Sequence, residues 1–324
     1  MRFTRRGLLV GAGVGGALLI AFPLLPRRHP VPLQAGRDEH VVDAFLKVAR
    51  VRTGTGRARD CILTVAVPLC EMGQGVTSLF AQIVADEAGA DWRRVAVEAA
   101  PISPAYADPV LSARWASLWM PVFTSLGEDA DGLLARLHAE RGPMMITAEG
   151  TALAAFEAPL REAGAALRAM MAQAAAARWD VGWEECDTKD GFVIHERKRL
   201  SFADLLDDAV QYDPPSVPVL RADPPREAPG QYPDGAPPRR ARLDLPAKVD
   251  GSFTFAADVR LPGMVHAAIA HGPQGASVLS GYDKHEAAGV RGLVGVVRAK
   301  RWLAVAATTW HAADKALRAM EPRF

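Results

Sequence analysis

Cysteine is scarce in this chain of 324 residues: Cys61, Cys70 and Cys186 are the three. An odd number, with no C-x-x-C and no Cys/His cluster at zinc spacing, excludes a disulfide framework and argues against a metal held by protein thiolates. The three read as small core residues. Aromatic residues are few, at 7%, and charge of one sign is missing, with 38 Lys and Arg against 37 Asp and Glu. No basic block follows the N-terminal leader, so no nucleic-acid partner is expected. His195, His266, His271, His285 and His311 are scattered, with no pair at i, i+4, and read as surface or packing residues. Ser201 lies in no G-x-S-x-G elbow. Neither a catalytic residue nor a protein-ligated metal is identified.

What is present begins with "RRGLLVGAGVGGALLI", Arg5 to Ile20. Gly11, Gly13 and Gly16 spell G-x-G-x-x-G, and Asp38 and Glu39 stand where the ribose-binding acid of a dinucleotide fold would stand. The prolines between Phe22 and Pro32 break the helix that such a fold requires. The twin arginine followed by an uncharged run from Gly7 to Pro26 instead predicts a twin-arginine signal over 1–35, with export to the periplasm. No A-x-A cleavage site follows, so residues 7–26 also suit an uncleaved membrane anchor.

The length suggests about two domains at ~150 residues each. Nine prolines between Asp213 and Arg240 exclude helix and central strand, and place a linker over 213–241. The expectation is an α+β domain over 40–212 and a second, compact module over 242–324. Cys61 to Pro68 reads as a strand, and Val76 to Ala88 as an amphipathic helix with Thr77 available as its cap. Between them, Glu71-Met72-Gly73-Gln74-Gly75 makes a strand–loop–helix junction where backbone N–H groups can face an anion; an ordinary glycine-bearing connection is the other reading of the spacing. Asp190-Gly191 reads as a hairpin turn and Ser201 with Asp204 as a capped helix start. Trp115, Trp119, Met120 and Phe123 suit either a helical core or the wall of a substrate funnel. Asp258 reads as ordering a turn.

The stretch "EMGQGV…LFAQIVADEAGADWRRVAVEAAP", Glu71 to Pro101, resembles the molybdopterin-binding large subunit of the molybdenum hydroxylases, of the isoquinoline 1-oxidoreductase beta-subunit type within the xanthine dehydrogenase and aldehyde oxidoreductase superfamily. Phe156 to Val181 is similar to the long helix after that family's second cofactor loop, and Cys186 to Ala209 to its next hairpin and helix. Arg242 to Pro273 and Ala287 to Met320 are similar to its α/β hammerhead module. The resemblance implies an N-terminal lobe of a molybdopterin-binding domain followed by that hammerhead. It implies that Met72, Gly73, Gln74 and Gly75 lie against a molybdopterin cytosine dinucleotide, with Thr147, Ala148, Gly150 and Thr151 forming the opposite rim.

Two departures stand out. Where the family typically has T-G-G-S-T-S or T-A-G-S-T-S, this chain has Thr147-Ala148-Glu149-Gly150-Thr151-Ala152. Glu149 sets a carboxylate near a dianionic ligand, an unfavourable interaction on the order of 1 kcal/mol unless it turns outward or finds a partner. The family's subunits are also more than twice this length, and the part that supplies the base glutamate has no counterpart here; Glu321 reads as a surface residue. The resemblance therefore implies part of an enzyme that hydroxylates a small molecule, an N-heterocycle or an aldehyde. Its expected partners are a chain carrying the remaining half and a [2Fe–2S] small subunit. A shortened, non-catalytic relic or assembly module is the alternative.

Overall fold

The computed structural model describes residues 29–52, 59–222, 240–273 and 275–324. Residues 1–28 of the expected leader, with the G-x-G-x-x-G run, lie outside the described residues. The chain is mixed α+β and divides into two units, Met1–Val249 and Asp250–Phe324.

The first unit is built on a four-stranded sheet in the order β1 (Glu39–Val41), β2 (Leu46–Arg52), β3 (Arg59–Val67) and β4 (Val95–Ala99). The first three strands pair antiparallel, whereas β3 and β4 are parallel. A parallel pair cannot be joined by a hairpin, and helix α1 (Val76–Ala88) supplies the crossover. The site loop therefore sits at the C-terminal end of β3.

Three short or medium helices follow, α2 (Pro109–Arg114), α3 (Ala116–Trp119) and α4 (Leu133–Arg141). They close over a small satellite core of Leu111, Ala139 and Met144. Helix α5 (Ala152–Trp179) is the longest element. Its alanine-rich face lies against α1, and Gly164 marks the closest approach: a Cβ there would sit 2.7 Å from the Val84 carbonyl oxygen. Phe45, Phe80, Phe156 and Tyr106 meet edge-on or tilted in the main core. Burying each contributes roughly 1.5–3 kcal/mol, which holds sheet and helices together.

A meander of β5 (Asp187–Lys189), β6 (Phe192–His195) and β7 (Lys198–Ser201) leads into α6 (Phe202–Ala209). Asp190 and Gly191 both have positive φ, 50° and 76°, which a tight two-residue hairpin turn demands. Ser201 caps α6 as its sequence predicts, accepting from the Asp204 N–H at 3.1 Å while donating to the Asp204 carboxylate. Beyond Tyr212, the described start of the proline-rich stretch is pinned to this unit. The Arg221 N–H donates to Glu87 at 2.6 Å, and the Arg168 guanidinium donates to the Val219 carbonyl. The far end is held too: Arg240 pairs with Asp86, and the Leu243 N–H donates to Ser78 Oγ at 2.9 Å. Arg242 to Val249, including the short helix α7 (Leu245–Val249), therefore belong to the first unit.

The second unit has a three-stranded antiparallel sheet in the order β8 (His266–His271), β10 (Trp302–Ala307), β9 (Leu293–Arg298). Helix α8 (Trp310–Ala319), capped by Thr309, covers one face. Leu303, Val305 and Ala307 alternate along β10 toward it and meet Ala313, Ala316 and Met320. The Asp258 carboxylate accepts the Phe255 N–H at 3.1 Å and so closes its turn. Among the described residues no helix is long and apolar enough to cross a membrane.

Candidate functional site

The loop that joins β3 to α1 turns through two left-handed glycines, Gly73 (φ 103°) and Gly75 (φ 88°). An L side chain would be strained at either position. Gly75 occupies the N-cap of α1 and has no side chain to close the helix end.

Thr77 does not cap α1. Glu71 does this instead: its carboxylate folds back and accepts the N–H groups of Gly73 (2.8 Å), Gly75 (2.9 Å) and Thr77 (3.2 Å). The helix end lacks internal partners for these donors, and its dipole favours a negative charge, so a nearby carboxylate outcompetes a neutral hydroxyl. Arg242 completes the arrangement. Its guanidinium meets Glu71 at 3.3 Å, donates to the Gly73 carbonyl at 3.0 Å and is itself held by Asp244 at 2.8 Å. Burial pushes the Glu71 carboxyl up, but the three N–H donors and the Arg242 charge outweigh it and hold it below the usual glutamate range. Hydrogen bonds from Arg242 and Lys248 hold Asp244 well below the usual aspartate range.

The same loop is closed by its own glutamine. Gln74 Oε1 accepts the Met72 N–H at 2.6 Å, and Gln74 Nε2 donates to the Cys70 carbonyl at 3.0 Å. Met72 is left 68% exposed, and the space where a Gly73 Cβ would stand is open.

The second predicted segment comes to this loop. Thr147 Oγ1 donates to the Cys70 carbonyl at 3.0 Å, across 77 positions of sequence. The other residues of that segment divide. Ala148 packs against the satellite core. Gly150, with φ 67°, faces open space as Gly73 does. Thr151 is buried, and its hydroxyl is committed to Asp108 at 2.5 Å. Asp108 is also buried and caps α2 by accepting the Leu111 N–H at 2.8 Å.

Glu149 finds partners. It adopts a left-handed φ of 49°; its carboxylate accepts from the Trp115 indole at 2.5 Å, and the Arg114 guanidinium donates to its carbonyl at 2.8 Å. That answers the repulsion expected from its charge. Trp115 thus tethers the loop from the junction of α2 and α3. Trp119 stacks on His138 with ring centroids 4.2 Å apart, and Phe123 is exposed.

Glu71, Arg242 and Asp108 are the organising residues that the sequence reading passed over. Asp108-Pro109 carried a readable signal, an aspartate N-cap followed by proline at the first helical position. Nothing local pointed to Arg242, 171 positions from Glu71.

The residues leave glycine backbone open at Gly73 and Gly150, and Gln74 and Thr147 both donate to the Cys70 carbonyl. They do not suit a phosphate at the start of α1, because the Gly73, Gly75 and Thr77 donors already serve Glu71. Among the described residues no three His, Cys, Asp or Glu side chains gather as a metal site.

No family model matches the chain. Among curated proteins it is similar to the beta subunit of isoquinoline 1-oxidoreductase from Brevundimonas diminuta, 28% identical over 309 residues, covering 84% of this chain and 34% of that protein. It is also similar to a membrane-bound aldehyde dehydrogenase, named as pyrroloquinoline-quinone dependent, from Gluconacetobacter polyoxogenes: 25% identical over 278 residues, covering 82% of this chain and 30% of that protein. The chain spans about a third of the length of these relatives. Both similarities cover more than four-fifths of this chain and support a large-subunit type like that of the molybdenum hydroxylases.

Proposed function

We propose that this chain forms part of the cofactor-binding large subunit of an oxidoreductase of the molybdenum hydroxylase type, acting on an N-heterocycle or an aldehyde. The observation that carries this reading is the Thr147 to Cys70 hydrogen bond. It joins two segments far apart in sequence, both singled out as cofactor contacts, into one surface with glycine backbone open on each side. The names of the relatives supply the chemical class.

On this reading the group is a molybdopterin cytosine dinucleotide, which supplies the redox chemistry of the hydroxylation when bound. The chain's own contribution is positional. Met72, Gly73, Gln74 and Gly75 form one wall, and Thr147, Ala148 and Gly150 form the other. Gly73 and Gly150 admit close approach of the backbone; Gln74 and Thr147 present polar edges already fixed by hydrogen bonds. Thr151 acts from beneath, anchoring its loop to buried Asp108. The partners in this proposal are a polypeptide that supplies the rest of the relatives' length and a [2Fe–2S] small subunit. The proposal also includes an α/β hammerhead fold for the second unit, and export to the periplasm, or to the periplasmic face of the inner membrane, through the twin-arginine leader.

The test is co-expression with the reading frames adjacent to the gene. A purified complex with stoichiometric molybdenum, releasing cytidine monophosphate on acid hydrolysis, is expected. Thr147→Val should lower that molybdenum content, since it removes the bond that unites the two walls. A stable complex free of molybdenum and nucleotide would favour the second reading, a non-catalytic assembly module, which the internal use of the α1 donors supports.

A further inference from the structure

We infer that Glu71 is the resident anion of the α1 N-terminus, a positioning residue that preforms the EMGQG loop and closes that helix end to phosphate. The sequence invites the opposite expectation: two glycines ahead of a helix offer free N–H groups to an anionic ligand. In the structure three such groups, from Gly73, Gly75 and Thr77, converge on one carboxylate. Arg242, the one cation bonded to the loop among the described residues, divides its guanidinium between Glu71, the Gly73 carbonyl and Asp244. The Gly73, Gly75 and Thr77 donors and the Arg242 charge are thus matched within the chain, and a phosphate arriving at them would have to displace a covalently tethered carboxylate.

The consequence for the cofactor rests on the proposed function. The loop touches the dinucleotide through the open backbone at Gly73 and through Gln74, whose amide is aligned by Met72 and Cys70. On that reading the phosphates would find their donors elsewhere in the assembled enzyme. Glu71 touches no ligand; it acts by fixing Gly73, Gln74 and Gly75.

The experiment uses the full chain without cofactor, with amide exchange read residue by residue by NMR and inorganic pyrophosphate as the probe. In the wild type the Gly73, Gly75 and Thr77 amides should be protected, and pyrophosphate should leave their resonances in place. Glu71→Ala should speed exchange at these three by on the order of tenfold or more, the factor of one charge-assisted hydrogen bond, while the second half of α1 stays protected. Glu71→Gln keeps an acceptor oxygen and should restore part of the protection, which separates positioning from a general loss of fold. Fast exchange at these amides in the wild type, or a pyrophosphate-induced shift of all three, would overturn the inference. A complex lacking molybdenum would overturn the proposed function instead and leave this result standing.

Discussion

Glu87 is fully buried in α1 and meets the Arg161 guanidinium of α5 at 3.0 Å. Arg168 approaches the other carboxylate oxygen at 3.3 Å, and the Arg221 N–H donates to it at 2.6 Å. One acid thus ties two helices and the start of the proline-rich stretch together behind the site loop. Replacing it uncovers two arginines in a region of low dielectric. Glu87→Gln should destabilise the chain by about 3–5 kcal/mol, read as a lower urea midpoint with an unchanged slope.

The approach of α1 to α5 depends on Gly164. A Cβ there would meet the Val84 carbonyl at 2.7 Å and Glu87 Cβ at 2.9 Å, both parts of a packed helix. Gly164→Ala should therefore cost about 1–3 kcal/mol, against the usual gain of alanine in a helix interior. Gly142→Ala, where the added methyl meets nothing within 4 Å, is the control and should change the thermal midpoint little.

The three cysteines should differ in reactivity. Burial pushes the Cys61 thiol up to about 12, and it faces the core. Cys70 is exposed and lies beside Glu71. A maleimide should label Cys70 first and Cys61 only on unfolding, as peptide mass mapping will show. If the surface around Cys70 holds a cofactor in the assembled enzyme, labelling there should slow in the complex relative to the free chain.

The strand over Cys61 to Pro68, the helix after it and the hairpin turn were legible in the sequence because their signals are local, and the long helix was legible through resemblance. Val76 to Ala88 carries its apolar residues at helical spacing, and Asp190-Gly191 admits few conformations other than a tight turn. The two candidate cofactor segments were named through resemblance, and the Thr147 to Cys70 bond brings these segments together. What escaped was the assignment of donors to acceptors. Thr77 and Glu71 are both competent caps by type, and only the folded loop shows that the carboxylate reaches three N–H groups at once. Likewise Thr151 has the chemistry of a ligand contact, yet its hydroxyl is consumed by Asp108, a partner 43 positions away. Periodicity reports which face is buried; it carries no information on long-range polar pairs.

A pH dependence follows from Asp43, in the turn between β1 and β2, which accepts the Phe45 N–H at 2.7 Å. Burial pushes its carboxyl up to about 6, the N–H groups of Phe45 and Leu46 offset this in part, and the charge of Glu162 adds to it. The folded chain therefore holds this proton more tightly than the unfolded chain does. The stability linked to Asp43 is fully present below its unfolded value of roughly 4 and is lost as pH rises through about 6. Asp43→Asn retains an oxygen for the Phe45 N–H and removes the ionisation. The variant should match the wild type near pH 4 and exceed it by about 2–3 kcal/mol at pH 7, with the difference developing between those limits. Urea titrations at half-unit pH intervals give the curve directly, and a difference constant across that range would show that this carboxyl titrates as it does in the unfolded chain.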